Sequence, residues 1–168
     1  MKATKGKFAH LTATRNIVVA TGLAAMLAVG LGGMLYAQNG GDKGSALLRP
    51  DDRNVVALGQ QVYSDQCASC HGDNLEGQPD WRETNENGLL PAPPHDETGH
   101  TWHHEDAVLF GITKYGLAAL ANMPDYKTDM PVYKDILSDE EIIAVLSYIK
   151  SKWPDEIRKM HDQRNTMK

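Results

Sequence analysis

Four stretches of this 168-residue chain carry an interpretable order of apolar and polar positions. The first runs from Ile17 to Ala37, 21 residues without a charge. At about 1.5 Å of helical rise per residue it is long enough to cross a bilayer. In the second, Val55, Leu58 and Val62, with Gly59 and Tyr63, recur at i, i+3 and i+4 and predict a helix over 54–63. Asp51 or Asp52 stands ready to cap it. A third, shorter helix is predicted from His104 to Lys114, ending near Gly116. The fourth stretch is the clearest. Ser138-Asp139-Glu140-Glu141 is a capping box, and Ile142, Val145, Leu146, Ile149 and Trp153 follow it along one helical stripe. Lys150 and Lys152 sit at the negative end, before Pro154 stops the helix.

Between these stretches there is no strand-like alternation and no internal repeat, so the pattern predicts an all-α fold. Gly59 costs its helix about 1 kcal/mol against alanine, which points to a close helix crossing there. Residues 72–102 are irregular and rich in Gly, Pro, Asn and Asp. So long a structureless loop needs a reason inside a compact domain. Residues 38–49 are Gly-rich and polar and read as a flexible linker. Residues 155–168 read as a polar C-terminal extension, a frayed helical end.

Charge divides the chain. Lys2, Lys5, Lys7 and Arg15 precede the apolar run, and all 22 Asp and Glu follow it. This places a basic N-terminus, 1–16, in the cytoplasm, makes 17–37 a transmembrane anchor, and puts the remainder outside the membrane. The alternative for 17–37 is a cleaved secretory signal, which leaves a soluble periplasmic protein. Its length favours the anchor, since signal cores are about 7–15 residues long. The part beyond residue 37 carries a formal charge of −9, which argues against nucleic acid as a partner. It suits a redox partner with a basic docking face, or simply keeps the protein soluble.

Candidate chemistry concentrates in Cys67-Ala68-Ser69-Cys70-His71. C-x-x-C-H is the spacing that lets two thiols add to one haem while the adjacent histidine binds the iron. These are the only cysteines in the chain, so neither a disulfide framework nor a four-ligand zinc site competes for them. A thioredoxin-like reading lacks its βαβ context. A covalently attached haem c also explains the long loop, because loops can wrap its apolar faces in place of a protein core.

With Cys67 to Gly72 following one helix, and Met130-Pro131-Val132-Tyr133 preceding the capped helix from Ser138, residues 50–154 resemble class I c-type cytochromes. The resemblance implies a cytochrome c fold in which the first and last helices cross. It also implies His71 as proximal and Met130 as distal ligand to the haem iron. Met123-Pro124-Asp125-Tyr126 is a second methionine candidate. Met130 is preferred for its distance to the last helix, and because Met123 would bring Asp125 toward an apolar haem face. A His/Met pair fills both axial positions, so the resemblance implies an electron carrier without catalysis or a small-molecule substrate. The expected protein is a single-pass bacterial inner-membrane cytochrome with its haem domain in the periplasm. The alternatives are a haem-bearing subunit of a periplasmic dehydrogenase or oxidase, a ligand-binding or peroxidase-like haem, and a copper carrier using the histidine-rich loop.

That loop holds His95, His100, His103 and His104, read mainly as capping and loop hydrogen-bonding residues rather than a metal site. It resembles a segment of some small bacterial cytochromes, with Trp81, Pro91 to Asp96 and Thr101-Trp102-His103. Arg82, Trp81, His100 and Trp102 are candidate donors to haem propionates. Tyr126 and Tyr133 are expected to pack against the haem, and Gly72 to let the chain turn beside it.

Overall fold

The computed structural model describes residues 47–167. The basic N-terminus, the apolar run 17–37 and most of the linker 38–49 lie outside the described residues. Among the described residues there is no strand, and no helix is long and apolar enough to cross a membrane.

Helix α1, Arg53–Gln66, starts where Asp52 accepts hydrogen bonds from the Asn54 and Val55 N–H groups. It buries Gly59, Val62 and Tyr63 against helix α5, Asp139–Ser151. Gly59 is required at this crossing, since an added Cβ would stand 2.0 Å from the Ala144 carbonyl oxygen. Leu58, expected on the same stripe, is exposed at its edge and lines a shallow depression with Val62, Leu137 and Glu141.

Helix α5 carries the full capping box. Ser138 Oγ accepts from the Glu141 N–H, and the Glu141 carboxylate accepts from the Ser138 N–H. Ile142, Val145, Leu146, Ile149 and Trp153 are all buried, as the stripe predicts. The core adds Leu48, Leu75, Leu109, Tyr133 and Leu137.

Helix α2, Ala68–His71, is a single turn ended by Gly72. A 3-10 turn, Thr101–His103, precedes helix α3, Asp106–Tyr115, and helix α4, Leu117–Leu120, follows Gly116. His104 therefore does not open the third helix. It closes the 3-10 turn in extended backbone, and Glu105 is the residue before α3.

The polar C-terminal stretch is an ordered helix, α6, Asp155–Thr166, rather than a frayed end. Polar pairing holds it, not an apolar stripe. His161 is fully buried, Asn165 Oδ1 accepts from the Asp106 N–H, and Asp162 receives the Lys150 ammonium at 2.5 Å. Lys150, which the sequence alone reads as a helix-end charge, is 1% exposed, with the Asp106 carboxylate 3.9 Å away. Asp106 also accepts from the Leu48 N–H, and Ser147 from that of Arg49, so the entering chain is fastened to the same cluster.

Candidate functional site

The C-x-x-C-H residues occupy one tight turn at the end of α1. The Cys67 N–H closes α1 on Tyr63 O, and the N–H groups of Cys70 and His71 both donate to Cys67 O, at 3.1 and 2.9 Å. Local spacing alone thus brings both thiols and the imidazole onto one turn. Two buried tyrosines clamp it. Tyr63 Oη donates to Gly72 O and Tyr133 Oη to Gln66 O, each at 2.8 Å. Gly72 turns the chain away at φ +81°, in the left-handed region where a side chain is strained.

Both cysteines are unpaired, Cys67 half-buried and Cys70 exposed. Burial, with Cys70 adding to it, pushes the Cys67 thiol up to about 11, so it is protonated at neutral pH.

The His71 ring is buried, and its Nδ1 lies 2.8 Å from Pro93 O. A carbonyl only accepts, so Nδ1 carries the proton and Nε2 keeps the lone pair that a metal requires. Burial also holds the imidazole below its ordinary pKa, which favours this neutral form. Pro93 is 22 residues from His71, and the path of the irregular loop alone brings it there. That path is narrow. A Cβ on Gly77 would stand 2.4 Å from Pro94 N, and one on Gly99 would stand 2.0 Å from Pro94 O.

Met130 is partly buried against the core, whereas Met123 is 48% exposed in the turn after α4. The Met130 segment is tied down by Tyr133, whose N–H donates to Thr113 O while its hydroxyl donates to the carbonyl of Gln66, the residue just before the motif. Tyr126 is half-buried, and its N–H donates to Met123 O.

The histidine-rich loop does not converge. His95 stacks on His71, with ring centroids 4.0 Å apart. His100 stacks on Trp81 and meets the edge of His104, and His103 packs on Trp102. Among the described residues no three His, Cys, Asp or Glu side chains gather to hold a metal ion. Of the candidate propionate donors, Trp102 Nε1 is already given to Glu97 O at 3.3 Å, and the Arg82 guanidinium lies 3.9 Å over the Trp81 ring. Sequence reasoning missed Pro93 as the partner of His71, and His95 as its neighbour. The Pro-Pro-His run is the visible signal, since two prolines in series stiffen the backbone that carries such contacts.

An all-α domain in which α1 crosses α5 beside a C-x-x-C-H turn, with the histidine held neutral, defines a class I c-type cytochrome. The chain belongs to the cytochrome c family, whose model matches residues 56–153, more than half of the chain. It is 29% identical over 105 residues to the cbb3-type cytochrome c oxidase subunit CcoP of Rhodobacter capsulatus. The match covers 61% of this chain and 31% of that subunit, so the chain spans about a third of the relative's length. No solved structure matches it.

Family membership implies a covalently attached haem c and a role in haem-based electron transfer. The residues present fit that group. Two free thiols and a neutral imidazole whose Nε2 keeps its lone pair share one turn.

Proposed function

We propose that this protein is a monohaem electron carrier that passes single electrons between membrane or periplasmic redox partners. Cys67 and Cys70 would form the thioethers, His71 would ligate the iron through Nε2, and Met130 would be the distal ligand. When bound, a haem with this ligand pair supplies one-electron Fe(II)/Fe(III) chemistry at a raised potential, because a soft thioether favours Fe(II). The chain's own residues do the rest. Pro93 O holds His71 in the binding tautomer, Tyr63 and Tyr133 fix the attachment turn, and two filled axial positions leave no place for a substrate.

The observation that carries this reading is the 2.8 Å contact from His71 Nδ1 to Pro93 O at the end of a C-x-x-C turn. The test is the absorption spectrum of the haem-loaded protein. Covalent haem in a low-spin state, with a methionine-to-iron charge-transfer band when oxidised, is expected. Covalent haem that survives His71→Ala with its low-spin spectrum unchanged would overturn the assignment.

The anchor and the location belong to the same proposal. Residues 17–37 would hold the haem domain on the periplasmic face of the inner membrane, and its acidic surface would meet a basic partner face. Full-length protein should need detergent for release from membranes. Recovery in the soluble periplasmic fraction would favour signal cleavage instead.

A second reading, a haem-bearing subunit of a larger oxidase, draws on the similarity to a cbb3-type oxidase subunit. Stoichiometric co-purification with an oxidase from mildly solubilised membranes would favour it over a freely exchanging carrier.

A further inference from the structure

We propose that His95 is a positioning residue for the proximal ligand, and that it sets the plane of the His71 ring. This rests on the reading of His71 as the iron's ligand and deepens it.

The bond from His71 Nδ1 to Pro93 O fixes one nitrogen but leaves the ring free to roll about the line of that bond. The His95 ring removes this freedom. It lies against the face of His71 with centroids 4.0 Å apart and planes 20° apart. Rolling the His71 ring would drive its edge into His95.

His95 can enforce a plane only if it is itself fixed, and it is held from three sides. Its N–H donates to Leu75 O at 2.7 Å, its carbonyl accepts from Trp153 Nε1 at 2.7 Å, and its Nδ1 lies 2.8 Å from Thr101 Oγ1. Thr101 is itself buried, and its hydroxyl is also 3.5 Å from Pro94 O. The two prolines before His95 fix the backbone that presents the Pro93 carbonyl and the His95 ring together.

Packing alone does not account for an imidazole here. A leucine would fill similar space, but it has no flat face to stack and no nitrogen to tie to Thr101. The polar tie locks the ring's own rotation, and that rotation is what His71 reads. Partners of this kind, one step from the metal, orient the ligands that touch it.

The ring plane of an axial imidazole decides how unpaired spin is shared among the porphyrin's pyrrole positions. The haem-methyl proton resonances of the oxidised protein report it directly. The experiment compares haem-loaded parent, His95→Leu and Thr101→Val by covalent haem content, low-spin absorption and proton NMR. Both variants are expected to keep covalent, low-spin haem while the spread and order of the haem-methyl resonances change, more in His95→Leu than in Thr101→Val. If His95→Leu fails to load haem, Thr101→Val decides, because it keeps the stacked ring and removes only its tie. Low-spin haem with methyl resonances unchanged in the variants that load would overturn the proposal. Failure of the underlying reading looks different, since His71→Ala would then leave the parent's low-spin spectrum intact.

Discussion

Gly59 and Ala144 meet where α1 crosses α5, so closely that a Cβ on the glycine would stand 2.0 Å from the alanine's carbonyl oxygen. The helix that leads into the cysteine turn is thereby set directly on the helix that forms the back of the core. Gly59→Ala tests the contact. Alanine improves helix propensity by about 1 kcal/mol, but overpacking against a backbone atom costs about 1–3 kcal/mol or more. The expected outcome is a lower urea midpoint for the haem-loaded protein. A raised midpoint would mean that the two helices separate without penalty.

Met130 and Met123 differ in burial and anchoring, and their substitutions should differ accordingly. Met130→Ala is expected to abolish the methionine-to-iron charge-transfer band and lower the reduction potential, because a soft ligand is lost. Met123→Ala should leave both unchanged. The reverse pattern would move the distal ligand to the exposed turn.

Ser138→Ala removes the side chain that accepts from the Glu141 N–H and partners its carboxylate. Loss of such a cap costs about 1 kcal/mol. Chemical denaturation should show that loss with the haem spectrum unaltered. No change in midpoint would indicate that water replaces the cap without penalty.

Asp106 is nearly inaccessible, and its carboxylate accepts from the Leu48 N–H and the Asn165 side chain beside Lys150 and His161. Asp106→Ala leaves the Lys150 ammonium with only Asp162 and strands the Leu48 donor. Breaking a buried ionic arrangement of this kind costs about 3–5 kcal/mol. Thermal unfolding should register it as a large fall in Tm. A small change would show that solvent reaches the cluster.

His161 predicts a pH dependence. Burial is the main reason its pKa lies below the ordinary value. Lys150 depresses it further, and the carboxylates of Asp106 and Asp162 oppose the shift. A histidine whose folded pKa is lowered takes up its proton more readily when unfolded. Its contribution is therefore complete above about pH 6.5 and is lost as pH falls through that value toward the folded pKa. His103 and His104 are lowered too and act in the same direction. The denaturation midpoint should drop on acidification, and His161→Gln should make the drop shallower. An equal slope in the variant would remove His161 as the cause.

The attachment turn, the capping box and the stripe from Ile142 to Trp153 are all legible in the order of residues along the chain. The reason is range. C-x-x-C-H places its thiols and imidazole through bonds to Cys67 O within four residues, and a capping box closes on itself within three. Helical periodicity likewise needs only a neighbour one turn away. The preference for Met130 rests on its distance to the capped helix from Ser138, which is likewise read along the chain.

Tertiary structure alone decides the rest. The carbonyl that holds His71 arrives across 22 residues of loop with no periodic signal, and its approach depends on the close fit of Pro94 against Gly77 and Gly99. The stacking of His95 is hidden for the same reason. Residues 155–166 read as a solvated end because they are polar in composition, His161, Asp162 and Asn165 among them, and Lys150 before them reads as a helix-end charge. They are part of the fold because they pair with one another and with Asp106, and mutual pairing is what allows such groups to leave water.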